Sequence, residues 1–298
     1  MTTVPDLGLL RLAHVALRSA DPDRLASYYE VNVGLVPAAP GGDGVARLTT
    51  DHYHHCLEVH PGEGPSLAHI AFEVRDLDRA LTVLDAAGDV SAEPTEALGY
   101  ESAARFTDPG GNVICLVAGA RGSDAIPPGD RTFRPRKLGH IGVRGDDLKA
   151  LCRFYTEAVG FRVSDWIGEQ VVFLRCNPDH HALVFVAESC DGPSMHHIAF
   201  EVESWEGFAR EADILAANGA RVAWGPGRHA PSRNYFMYFD DADGNRIEWM
   251  AGVRQIADDE SHRPEVFDPA QPTTWNLWGV MPPPDFLRRI GPGSPAAA

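Results

Sequence analysis

One short phrase is written four times along the chain: Leu12-Ala-His-Val-Ala-Leu17, Leu67-Ala-His-Ile-Ala-Phe72, Leu138-Gly-His-Ile-Gly-Val143 and Met195-His-His-Ile-Ala-Phe200. Such self-similarity restricts the fold more than composition does, because every copy must become the same supersecondary unit. In each copy an apolar run led by a histidine reads as a short buried β-strand, with His14, His69, His140 and His197 in the same position. A helix-period segment follows each time, from Asp21-Pro22, Leu77, Asp147 and Trp205. Asp21 before Pro22 makes a good N-cap with proline at the first helical position. Each helix runs into a glycine suited to a left-handed C-terminal cap: Gly34, Gly88, Gly160 and Gly219 lie 20, 19, 20 and 22 residues after their histidines.

Strand-like runs follow the glycines, among them Ala46–Thr50, Cys56–Val59, Val171–Arg175 and Ala182–Val186, so the unit is βαβββ. A unit of about 50 to 60 residues is small for independent stability, and such units must pair. The fold class predicted is α+β: four βαβββ modules paired into two similar domains, each an open barrel-like sheet with helices outside. The expected boundaries are 1–120 and 138–252, with a Gly/Pro-rich linker over 121–137 and a tail over 253–298. The tail carries Trp275, Trp278 and Met281-Pro-Pro-Pro. It reads as a staple to the body rather than a lid, because exposed tryptophans on a loose tail invite association.

A net charge of −16 argues against nucleic acid or an anionic membrane as partner. No run approaches the ~18 apolar residues of a membrane span, and Met1–Asp6 lacks the features of a signal peptide, so a cytoplasmic protein is expected. The five cysteines, Cys56, Cys115, Cys152, Cys176 and Cys190, form no C-x-x-C pair and fit reduced thiols better than a disulfide framework.

Aligned by their histidines, the halves separate structure from chemistry. His14 matches His140, His55 matches His181 after the same interval of 41 residues, and His69 matches His197. His197 holds the repeat position, whereas His196 replaces Ala68 and, by strand alternation, should face the other way. The last strands diverge: Cys115 stands where Glu248 stands, and Arg105 where Tyr238 stands. Glu248 lies in the apolar run Ile247-Glu-Trp-Met-Ala251, where a buried carboxylate needs a compensating cation; the alternative is an exposed face of an edge strand. His140, His197 and Glu248 together offer two imidazoles and one carboxylate, the set associated with non-haem Fe(II) oxygenases.

With these residues the chain resembles the type I extradiol catechol dioxygenases of the vicinal oxygen chelate superfamily, from the first histidine strand to Glu248. The resemblance implies metal ligands at His140, His197 and Glu248, a pocket acid and base at His181, and further active-site positions at His229 in Gly-Pro-Gly-Arg-His and Tyr238 in Tyr-Phe-Met-Tyr-Phe. It implies a first domain without a complete metal site. It also implies Fe(II), with Mn(II) the second choice, a catechol-type substrate and O2 as partners, cleavage beside the diol to a 2-hydroxymuconic semialdehyde-type product, and a homo-oligomer. Met195 and Trp224 are candidate substrate contacts. Zinc on His14, His69 and Cys115 is a weaker possibility. Two other readings stay open: a metal-dependent isomerase or lyase of the same superfamily, and a ligand-sequestering protein that needs no metal.

Overall fold

The computed structural model describes residues 6–88, 90–125, 135–189, 192–284 and 286. Most of the expected linker, Cys190 and the end of the tail lie outside the described residues.

The unit βαβββ occurs four times. The first comprises β1 (Leu9–Ser19), α1 (Pro22–Tyr28), β2 (Val36–Pro37), β3 (Ala46–Thr49) and β4 (Leu57–Pro61). The second runs β5 (Ser66–Val74), α2 (Leu77–Ala87), β6 (Glu93–Thr95), β7 (Ser102–Thr107) and β8 (Val113–Ala118). The third is β9 (Lys137–Gly145), α3 (Leu148–Phe154), β10 (Arg162–Ile167), β11 (Val171–Arg175) and β12 (Leu183–Ala187). The fourth is β13 (Met195–Glu201), α4 (Trp205–Ala217), β14 (Val222–Arg228), β15 (Tyr235–Asp240) and β16 (Arg246–Ala251). Each helix begins at a side-chain cap, Asp21, Asp76, Asp147 or Ser204, whose oxygen accepts a backbone N–H of the first turn. A single π-turn extends α1 and α3, and Gly34 and Gly160 then close them with φ of 73° and 89°.

Units pair through their first strands. β1 runs antiparallel to β5, and each is flanked on its other side by the parallel last strand of its own unit, β4 or β8. The second half repeats this with β9, β13, β12 and β16. The results are an eight-stranded sheet of order β2-β3-β4-β1-β5-β8-β7-β6 and a nine-stranded sheet of order β14-β15-β16-β13-β9-β12-β11-β10-β17. The extra strand β17 (Glu265–Phe267) comes from the tail and pairs with β10, and α5 (Pro272–Trp275) follows it.

One apolar core runs through both halves, with Phe72 against Phe161 at 5.1 Å. Reciprocal polar clamps accompany it. The turn between β7 and β8 is organised by Asp108, which accepts the N–H groups of Gly110 and Asn112, and the Tyr155 hydroxyl of the other half donates to it at 2.9 Å. Tyr29 does the same for Asp241 in the turn between β15 and β16, at 3.0 Å. Among the described residues no helix is long and apolar enough to cross a membrane.

Candidate metal centre and active site

The two central strand pairs place the candidate ligands. On β9 and β13 the residues Ala199 and His140 are directly opposed, and β16 sets Glu248 beside Ala199. The row continues outward, with Tyr238 of β15 opposite Glu248 and Trp224 of β14 opposite Tyr238. His197, two residues before Ala199, lies on the same face. The small residues of the row make room: a Cβ at Gly142, opposite His197, would collide with the His197 imidazole.

His140, His197 and Glu248 therefore converge. The two Nε2 atoms are 2.8 Å apart, and each is 3.2 Å from Glu248 Oε2. All three residues are buried, Glu248 with 1% of its surface exposed. Burial pushes the Glu248 carboxyl up, but the two imidazoles outweigh it and hold the group well below the usual carboxylate range. Burial, opposed only in part by Glu248, brings His197 down to about 4. At neutral pH the site therefore holds an ionised Glu248 carboxylate facing a neutral His197 imidazole, the protonation state in which these two groups bind a divalent metal. Three donor atoms from three strands converge on one point, and a cation there is bound by all three. The donor set thus fits Fe(II) or Mn(II).

A second tier of polar groups surrounds this point. Asn234, fully buried, donates from Nδ2 to Glu248 Oε1 at 3.1 Å. His229 is fixed by its Nδ1, which donates to the Trp275 carbonyl at 2.7 Å, so Nε2 carries the lone pair. The Tyr238 hydroxyl donates to that Nε2 at 3.1 Å, and Nε2 is 3.9 Å from Glu248 Oε1. Burial and then the Glu248 charge raise the Tyr238 phenol well above its ordinary value, so it stays protonated. On the other side, the His181 ring lies 4.1 Å from that of His140. A buried chain orients it: His180 Nε2 donates to Asp165 at 2.8 Å, and His180 Nδ1 meets His181 Nδ1 at 3.0 Å. With the His180 proton on Asp165, His181 must donate from Nδ1, which leaves the Nε2 lone pair as its free acceptor. Burial first, then repulsion from His140 and His180, keeps the His181 imidazole neutral.

These groups line one cavity of about 460 Å³, a size ordinary for a small-molecule site. Its walls are apolar and aromatic, among them Ile167, Val171, Phe173, Val184 and Trp224. Trp224 lies parallel to Tyr238 at 5.6 Å. Met195 does not line this cavity: its side chain packs on the main core, and its carbonyl accepts from Arg144. His196 also departs from simple alternation. A register shift between Met195 and His197 breaks the pleat there, and His196 lines the cavity with its Nδ1 2.6 Å from His197 Nδ1. The tail has both roles that the sequence reading set against each other. It is stapled through β17, and it also roofs the cavity with Trp275, Met281 and Phe286, the last 3.8 Å from the Arg246 guanidinium and 5.1 Å from Trp224. Sequence reasoning missed Asn234 and Phe286, and it passed over Arg246, which stands where the first half has Val113.

A model of the Glyoxalase/Bleomycin resistance protein/Dioxygenase superfamily matches residues 11–116 and 137–249. The chain belongs to this superfamily. Among its members, metapyrocatechase 2 of Cupriavidus necator is 28% identical over 274 residues, covering 81% of this chain and 84% of the relative. Two others carry different metals in their names. The manganese-dependent 2,3-dihydroxybiphenyl 1,2-dioxygenase of Geobacillus genomosp. 3 is 25% identical, covering 84% of this chain and 87% of its own. The iron-dependent extradiol dioxygenase of Rhodococcus jostii is 24% identical, covering 92% and 97%. The crystal structure of the Mn(II)-bound glyoxalase from Novosphingobium aromaticivorans superposes with a TM-score of 0.84 at 25% identity, over 96% of each chain.

Proposed function

We propose that this superfamily member is a metal-dependent extradiol dioxygenase that opens a catechol-type ring with both atoms of O2. The observation that carries the reading is the meeting, in one aromatic-walled cavity, of the His140, His197, Glu248 donor set with three further groups whose free atoms are fixed by hydrogen bonding: His181, His229 and Tyr238. Fe(II) is the proposed metal and Mn(II) the second choice; when bound, it would chelate both diol oxygens, lower their pKa and couple the electron-rich ring to O2.

The residues of the chain do the proton work. The His229 Nε2 lone pair accepts a proton from the incoming diol, and Tyr238 holds the position of an oxygen beside it. The His181 Nε2 lone pair takes up a proton within the cavity and returns it as the O–O bond breaks, while Asp165, through His180, stabilises the charge this places on the ring. Trp224, Phe173 and the tail roof exclude water and hold the aromatic ring flat. Every atom of the catechol and of O2 ends in the ring-opened 2-hydroxymuconic semialdehyde-type product, so no external reductant is consumed. Assembly as a homo-oligomer is part of the same proposal, checked by light scattering.

The likeness to a glyoxalase favours a second reading, a metal-dependent isomerase or lyase. Against it, the strand position on β12 from which a second carboxylate would reach the metal holds Val184. A sequestering role leaves the buried donor set without a purpose. The test is oxygen consumption by protein loaded anaerobically with Fe(II), against a panel of substituted catechols. Uptake with a yellow product supports the dioxygenase; no uptake with any catechol overturns it.

A further inference from the structure

The first half contains a second convergence of donors, built differently. His14 on β1 and His69 on β5 bring their Nε2 atoms to 2.9 Å. The carboxylate beside them is not at Cys115, whose thiol burial pushes up to about 12, but at Glu58 on β4. Glu58 Oε2 is 3.7 Å from His69 Nε2 and 2.8 Å from His60 Nε2. The resemblance implied a first half without a complete metal site, with His14, His69 and Cys115 as the weaker alternative; the residue beside the two histidines is Glu58. Glu58 comes from the other flank of the central pair, at the position that Val184 occupies in the second half.

A buried polar atom without a partner beside this cluster favours a cation there. His55, with 1% of its surface exposed, points Nε2 to within 3.3 Å of Glu58 Oε1 yet makes no hydrogen bond from it. Arg47 engages Glu58 Oε1 at 2.7 Å, which leaves Oε2 as the carboxylate oxygen on the side of His60 and His69. Ligand atoms of His14, His69 and Glu58 lie within 4.8 Å of one another. The His14–His69 contact of 2.9 Å and the His69–Glu58 contact of 3.7 Å lie on either side of the edge of about 3.3 Å that metal bonds of ~2.0 Å require. The outer nitrogen of His14 already has an orienting group, the Tyr100 hydroxyl at 3.3 Å.

We propose that the first half binds its own divalent metal, zinc by its donor set, on His14, Glu58 and His69. Such a site ties β1, β4 and β5 together at the centre of the first sheet, separate from the site of the second half.

The experiment uses the full chain, stripped with chelator, reloaded with Zn(II) alone and freed of excess by gel filtration. Metal is counted by mass spectrometry in the Glu248→Gln variant, in which the second-half site is disabled. One zinc per chain is expected, with a rise in Tm on loading, and both are expected to vanish when Glu58→Gln is added. His69→Gln, at a partly exposed side chain, serves in its place if the Glu58 variant does not fold. No zinc in the Glu248→Gln protein, or zinc that survives both first-half substitutions, overturns the proposal.

Discussion

Asn234 offers the sharpest test of how the second-half site is held. Its Nδ2 is 3.1 Å from Glu248 Oε1, and His229 Nε2, at 3.9 Å from that oxygen, is too far for a hydrogen bond. Asn234→Ala therefore strips the outer carboxylate oxygen of its support while leaving Oε2, His140 and His197 untouched. A hydrogen bond to a charged group contributes about 1.5–3 kcal/mol, which corresponds to roughly a ten- to hundredfold loss of metal affinity if the carboxylate is the ligand. The assay is competition for Fe(II) or Co(II) against a chromophoric chelator under anaerobic conditions, with circular dichroism checking the fold. Unchanged affinity in a folded Asn234→Ala protein would refute the assignment of Glu248 as a metal ligand oriented by Asn234.

Further outcomes are expected. His181→Phe keeps its metal but loses about 10²–10⁴ in turnover, the contribution of a positioned acid–base group, whereas Glu248→Ala loses the metal itself; metal analysis beside oxygen uptake separates the two. Tyr155→Phe removes the hydroxyl that donates to buried Asp108 across the halves, costing about 1.5 kcal/mol and lowering Tm by roughly 3–6 °C in calorimetry, with activity at room temperature retained. Acid should destabilise the metal-free protein. Burial, opposed in part by Glu248, holds His197 at about 4, below its ordinary 6.5, so the unfolded chain binds the extra proton between about pH 6.5 and 4 and stability falls as pH drops through that window. A His197→Gln variant should show a shallower fall of Tm over that window, and an identical slope would contradict the account.

The repeat made the architecture legible. Four histidine strands, four capped helices and four left-handed glycines dictate four identical units, and pairing through β1 with β5 and β9 with β13 follows from burying two apolar faces at once. The candidate ligands His140, His197 and Glu248 were readable because they stand where the first half has either the same residue or a conspicuous change, Cys115 for Glu248. Reading by alternation failed at His196, where a register shift turns a second ring toward the cavity, and the candidate contact Met195 packs against the core. Glu58 escaped because its counterpart is an ordinary apolar residue, Val184, and because the comparison that exposed Glu248 looks only along equivalent last strands. Asn234 and Phe286 lie in segments without a repeat, where nothing but three-dimensional closure brings them to Glu248 and Trp224.

Ring opening by O2 is the central claim, and isotope labelling tests it most directly. Protein loaded with Fe(II), supplied with a catechol it consumes under ¹⁸O₂, should yield a ring-opened product in which both new oxygen atoms are labelled, one in the carboxylate and one in the carbon chain, apart from label lost by exchange with water. A product without ¹⁸O, or an unopened ring isomerised without oxygen uptake, would contradict the account and favour the isomerase reading.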